Sequence, residues 1–195
     1  MTEPARRMDV RVGSSTDALT PISVAKRSLG AGLVQWMGLA AIALAAVAAD
    51  QLTKHIVTSH LLLDEGIHVA GPFWIHHVQN SGIAFGLFGN ATSIVTLVTA
   101  AAIGWMVWFF ARAGLRHPVL PAAFGLLIGG SLSNLFDRVR LGYVTDFIDV
   151  DWSVFRVFNL ADAFIVVGVA ILVLALVIAD RHTPPRRTLD VAARR

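Results

Sequence analysis

No cysteine occurs in the 195 residues, so disulfides, zinc–thiolate sites and a thiol nucleophile are all excluded. Charge is scarce as well: 15% of residues are charged against 55% hydrophobic, and the mean hydropathy is +0.66. That balance excludes an ordinary soluble domain. The pI of about 10.2 does not indicate a nucleic-acid partner. The basic residues sit in the tails and a short loop beside apolar runs, not on an aromatic-bearing domain. A phosphate loop is missing, because Gly82, Gly86 and Gly89 have neither a strand-to-helix context nor a following lysine. The seven histidines are scattered, and His76 and His77 on an extended segment would point to opposite faces, so no metal site is expected.

What is present is a set of long uncharged runs. No charge falls between Ser28 and Ala49, and 22 residues at 1.5 Å each reach about 33 Å, enough to cross a hydrocarbon core. The run ends in the cleavage-like tripeptide Ala46-Val47-Ala48. It is nevertheless longer than the apolar core of a signal peptide (about 7–15 residues), and the sequence after it is itself membrane-embedded, so a retained span is expected. Further spans are expected over 91–111, 118–138 and 158–179, with the first extending to about 58. Pro118 and Pro121 suit the first turn of the third. Gly71-Pro72 and short apolar runs mark 64–90 as a small β-rich segment, and 140–158 is a second polar excursion. The expected fold is a membrane protein, a four-transmembrane-helix bundle with a small extracytoplasmic β-rich segment and a second extracytoplasmic loop. It forms a single domain over 28–180, flanked by a basic arm at 1–27 and a basic tail at 181–195.

Orientation follows from the distribution of Lys and Arg. Each tail carries five and the 112–118 turn two, so twelve of the sixteen basic residues lie on one side, leaving Lys54, Arg138, Arg140 and Arg156 opposite. Both termini are therefore expected in the cytoplasm. Eight of the thirteen carboxylates fall on the outer side, with Trp74, Tyr143 and Trp152 in the same excursions. The outer boundary is the expected working surface.

Ionisable groups at or within membrane helices mark functional sites or paired structural contacts. Asp50 and Lys54 are four apart on one helical face, as in an interfacial ion pair with Lys54 snorkelling toward headgroups. Asn134 shares a face with Asp137 and Arg138, which suits an interhelical clamp in which Arg138 keeps Asp137 ionised. Asn159 is placed to cap the last span, with Asp162 in its first turn and no basic residue nearby in sequence. In Tyr143–Val150, alternation puts Asp146 on the face of Val144, Ile148 and Val150, where a carboxylate is out of place and its pKa rises, while Asp149 faces solvent. Asp146 and Asp162 are thus two carboxylates without an obvious cation, at one depth. Such a pair can activate a water and protonate a leaving amine. It could equally serve a proton- or ion-coupled transporter, and a third possibility is an assembly protein whose acids only pair helices. Gly125 and Gly129 fit close helix packing.

Five blocks stand in order: Asp50-Gln51-Leu52-Thr53-Lys54; Asn80-Ser81-Gly82-Ile83-Ala84-Phe85; Gly129-Gly130 through Asn134, Asp137 and Arg138; Gly142 to Phe147; and Phe158 to Asp162. Together they resemble the lipoprotein signal peptidases (signal peptidase II) over about residues 30–180. The resemblance implies an aspartic endopeptidase of the bacterial inner membrane that removes the signal peptide from diacylglyceryl-modified prolipoproteins. It implies a dyad at Asp146 and Asp162. Asp50, Lys54, Asn80, Gly82, Asn134, Asp137, Arg138, Asn159 and Ala161 would line or support the site. The partners it implies are the lipid-modified prolipoprotein and membrane lipid, with no cofactor and no obligate protein partner. Two positions depart from the family pattern: Ser133, where glycine is common, and Arg156, where proline is common.

Overall fold

The structure is a computed structural model and describes residues 31–82, 91–112, 119–151 and 156–181. The basic arm, residues 83–90, the turn at 113–118, Trp152 and the tail beyond 181 lie outside the described residues.

Four helices and three strands follow in the order α1 (Leu33–His60), β1 (Gly66–Ala70), β2 (Phe73–Asn80), α2 (Ala91–Arg112), α3 (Leu120–Leu141), β3 (Val144–Val150) and α4 (Leu160–Arg181). Among the described residues three helices, not four, are long and apolar enough to cross a membrane: α1, α2 and α4. Helix α3 is of comparable length at 22 residues, but it packs against all three of the others. A helix that faces protein need not be apolar all round, and α3 carries the small and polar residues that its neighbours bury. The other three turn large side chains outward: Val34, Leu97 and Leu176 are each at least 70% exposed. Such an outward apolar surface suits lipid rather than water.

Small residues set how closely α3 approaches its partners. A Cβ on Gly125 or Gly129 would meet Ile42 or the Ala43 carbonyl of α1 at 2.9 and 2.7 Å, and one on Gly130 would stand 2.5 Å from the Ala161 carbonyl of α4. The Gly-x-x-x-Gly spacing therefore serves packing on α1, and Gly130 adds the contact with α4. Gly130→Ala is expected to push α4 off α3 and cost about 1–3 kcal/mol, read as a lower midpoint of thermal unfolding in detergent. An unchanged midpoint would show that α4 can yield at no cost. At the far end of the bundle Phe110 packs edge-on against Trp36 and beside Phe124.

The sheet is antiparallel, in the order β1-β2-β3. Ile67, Ile75 and Ile148 stand opposite one another across its three strands, as do His68, Trp74 and Asp149 in the next row. The sheet thus has an apolar and a polar face. Ile75 and Ile148 pack with Val57, Leu61, Phe147 and Leu160, fastening the sheet to the ends of α1 and α4. The expected β-rich segment is β1 and β2, and the second excursion supplies the third strand. Helix α3 runs three residues beyond the expected 138 and stops at Gly142, whose φ of 82° is the left-handed region glycine tolerates. That turn sends the chain directly into β3.

Candidate active site

The alternating directions of the helices bring four polar stretches to one end of the bundle: the last third of α1, the last two turns of α3, the first turn of α4, and β3. The loop end of β2 adds Asn80.

In β3 the expected alternation of burial does not occur. Val144, Thr145, Asp146 and Phe147 are all buried, because the first half of the strand lies between β2 and the helix ends and there neither face reaches water. Asp146 is 2% exposed. Its Oδ2 accepts a hydrogen bond from Asn80 Nδ2 at 2.8 Å and its Oδ1 accepts one from Asn159 Nδ2 at 2.7 Å. Burial pushes this carboxyl up to about 6. The bonds from Asn80 and Asn159 act against that rise, the charge of Asp162 adds to it, and the charge of Lys54 opposes it.

Asn80 is held by a turn in which its Oδ1 accepts the Gly82 N–H at 2.9 Å, and Gly82 has a φ of 74°. A side chain folded back on its own backbone two residues on is a pre-set donor, and glycine supplies the conformation. That is the local role of Gly82.

Asn159 caps α4, as its position suggests. Its Oδ1 accepts the Asp162 N–H at 3.0 Å, while Asp162 Oδ2 accepts the Asn159 N–H at 3.3 Å, a reciprocal capping box. The same Asn159 amide reaches both Asp146 and Asn134 Oδ1. Asn134 Oδ1 takes a second donor, Lys54 Nζ at 3.0 Å, so its own Nδ2 must turn to Asp162 Oδ1, at 2.8 Å. Asp146 and Asp162 are therefore tied together through two asparagines. Among the described residues no cation lies within ion-pair distance of either.

Two sequence expectations are corrected here. Lys54 does not snorkel. It is 4% exposed and its ammonium lies 2.7 Å from Asp50 Oδ2 and 2.7 Å from Asp137 Oδ2. Asp50 is buried in the same way, at 0% exposure, because α3 and α4 cover this face of α1. Arg138 is not the partner of Asp137. Neighbouring residues on a helix point about 100° apart, so while Asp137 faces α1 the Arg138 guanidinium bends back to the Asn134 carbonyl, Nη1 to O 3.2 Å. Among the described residues its buried Nε has no acceptor, and the side chain lies in the field of Asp162, Asp146 and Asp137. It borders a cavity of about 510 Å³ lined also by Ser93, Thr96, Leu97, Ala100 and Gly142.

Ala161, fully buried, donates its N–H to Asp50 Oδ1 at 2.9 Å. Sequence reasoning missed Gln51 and Ser133 as members of the site. Gln51 Nε2 donates to Ser133 Oγ at 2.9 Å and Asp137 Oδ1 at 2.8 Å, and Ser133 Oγ donates to Asp50 Oδ2 at 2.7 Å. The available signal was a polar residue beside Asp50 and a hydroxyl beside Asn134, each adjacent to a polar residue already singled out. On the sheet, Asp149 meets His76 Nδ1 at 3.3 Å, both partly exposed, whereas His77 is buried and its Nδ1 lies 3.1 Å from the Leu61 carbonyl. The two histidines are divided between faces as expected. Among the described residues no group of three or more His, Asp or Glu could hold a metal ion.

Apolar helices that close at one end over linked carboxylates and carboxamides define an integral membrane protein with an enzyme-like site. Residues 42–178 match the family described as Signal peptidase (SPase) II, and the chain belongs to that family: it is a membrane peptidase. It is 36% identical to the lipoprotein signal peptidase of Symbiobacterium thermophilum over 143 residues, 72% of this chain and 94% of that protein. With the lipoprotein signal peptidase of Syntrophotalea carbinolica the identity is 38% over 149 residues, 73% and 92% of the two chains. A solved bacterial membrane enzyme obtained by the in meso method superposes with a TM-score of 0.67 at 28% identity, covering 74% of this chain and 90% of that one.

Proposed function

We propose that this peptidase removes the signal peptide from diacylglyceryl-modified prolipoproteins by water-mediated hydrolysis, with Asp146 and Asp162 as the reacting carboxylates. The observation that carries the reading is the pair itself: two carboxylates on different elements, bridged by Asn134 and Asn159 and, among the described residues, without a paired cation. One member takes the proton of the attacking water and the other gives a proton to the leaving amine, and neither role is assigned to one residue. The Arg138 guanidinium, in the wall of the cavity and in the field of both carboxylates, is placed to meet a substrate carbonyl there. The chemistry needs no metal or cofactor, and no obligate protein partner is invoked.

In this reading α3 is a fourth span, at the centre of the bundle. The positive-inside bias then places both termini in the cytoplasm and the site near the outer face of the bacterial inner membrane. The single membrane domain runs over 28–180 with basic flanks. The apolar face of the sheet continues past the helix ends, leaving Ile67 and Phe73 about half exposed, and there it rests on lipid. A proton- or ion-coupled transporter is not favoured, since the acids of α1, α3, β3 and α4 close into one network at one depth instead of stepping through the membrane.

The test is cleavage by the purified chain in nanodiscs of a prolipoprotein with and without the diacylglyceryl group. Cleavage confined to the modified precursor is expected, and equal cleavage of both would overturn the substrate assignment. The pH profile tests the pair. The Asp146 proton is lost as pH rises through about 6, which removes the acid, so kcat/KM should fall about tenfold per unit above that point. A substrate that excludes water disfavours the charged form further, so the limb in kcat should lie at higher pH than the limb in kcat/KM. A kcat/KM that keeps rising to pH 8 would exclude a shared proton.

A further inference from the structure

The two carboxylates lie on separate elements, a strand and a helix, so something must hold those elements at a fixed separation. The residue before each carboxylate shows what does. Ala161, which precedes Asp162, gives its N–H to Asp50 Oδ1 at 2.9 Å, and Thr145, which precedes Asp146, gives its N–H to Asp137 Oδ2 at 3.5 Å. Asp50 and Asp137 are in turn joined twice. Lys54 Nζ lies 2.7 Å from each, and a neutral bridge runs from Asp137 Oδ1 through Gln51 Nε2 and Ser133 Oγ to Asp50 Oδ2. Lys54 also fixes the Asn134 amide that holds Asp162.

We infer that Asp50, Lys54, Asp137, Gln51 and Ser133 form a buried spacer that sets the separation of Asp146 and Asp162, with Ser133 a positioning residue for both. The inference rests on the peptidase reading above but assigns these five side chains a part of their own. None of them reaches Asp146 or Asp162 directly. All but Gln51 are almost completely buried, and Gln51 is partly so. They act by where they hold two backbone amides. The hydroxyl at position 133 is central because it is the link between Gln51 and Asp50, accepting from Gln51 Nε2 and donating to Asp50 Oδ2.

The experiment uses Ser133→Ala in the full chain in nanodiscs, a neutral change that only deletes Oγ, with Gln51→Leu as a second variant that breaks the bridge from the other side. Amide hydrogen exchange at Thr145 and Ala161 is the readout independent of cleavage. In both variants both amides should exchange faster by about tenfold, although they lie on different elements. kcat should fall about tenfold with KM within twofold, as expected when a small misplacement harms the reaction but not binding. The basic limb of kcat/KM should shift to lower pH, since the charge of Asp162 raises the Asp146 carboxyl less when the two move apart. Faster exchange at Ala161 alone would reduce Ser133 to a local anchor of α4 and overturn the spacer. Faster exchange at both with kcat unchanged would overturn the claim that their separation matters. Failure of the peptidase reading would show separately, as a wild-type chain that cleaves no precursor.

Discussion

Asp146→Asn and Asp162→Asn are each expected to slow cleavage of the lipid-modified precursor by at least about 10³-fold. Loss of a positioned acid or base costs roughly 10²–10⁴ in rate, and the local geometry adds to that. Both oxygens of Asp146 accept from amide donors, Asn80 Nδ2 and Asn159 Nδ2, and both oxygens of Asp162 accept likewise, from Asn134 Nδ2 and the Asn159 N–H. A carboxamide supplies one acceptor and one donor, so in either variant an N–H must face another N–H. The conflict costs about 1–3 kcal/mol and turns the side chain or its partner away. Stability alone cannot account for the rate, because variants that lose so little still fold when assayed in nanodiscs, and their unfolding midpoints would show it. The sharper measurement is the double variant. Residues that act as a unit are not additive, so the double change should be no slower than the slower single one. Either single variant cleaving within tenfold of wild type, or a double variant slower by the product of both, would sink the shared role.

The expected spans were legible because lipid imposes a simple condition, a run long enough and apolar enough, and α1, α2 and α4 meet it. Helix α3 is harder to read for the reason that makes it central: it is covered by protein, and its glycines and polar residues answer to neighbours the sequence order does not reveal. The same limit applies within the site. Contacts a few residues apart could be read directly, so the Asn159 cap on Asp162 follows from the sequence. The Asp50–Lys54 pairing is also i,i+4, but its burial is not local information, because it depends on how α1 is rotated against α3 and α4. Gln51 meets Ser133 across 82 residues and Asp137 across 86, so no spacing rule could join them. Arg138 shows the reverse error, where adjacency to Asp137 suggests a pairing that helical geometry forbids. In β3 the periodicity correctly marked Asp146 as out of place. It failed for Thr145 and Phe147 because the first half of the strand is covered on both faces and has no exposed side there.

Lys54→Met should be the most destabilising single change in the chain. Asp50 and Asp137 are almost fully buried and share this one ammonium, so methionine, which keeps the length but not the charge, leaves two carboxylates facing each other in a low-dielectric interior. Removing one partner of a buried ion cluster costs about 3–5 kcal/mol, a large part of the roughly 5–15 kcal/mol that holds a protein folded. Denaturant or thermal unfolding in detergent should show the midpoint collapse. The remaining donors, Ser133 Oγ and the Ala161 N–H on Asp50, Gln51 Nε2 and the Thr145 N–H on Asp137, stabilise each carboxylate but cannot neutralise the pair. Replacing both acids along with the lysine, Asp50→Asn, Lys54→Met and Asp137→Asn together, should therefore recover most of the lost stability, since a neutral cluster carries no desolvated charge. Activity should not return with it. The amides can still accept from Ala161 and Thr145, but nothing then joins position 50 to position 137 through a common ammonium. A triple variant as active as wild type would mean that the ionic cluster serves folding alone. A Lys54→Met chain as stable as wild type would mean that the remaining donors hold the two acids without a cation.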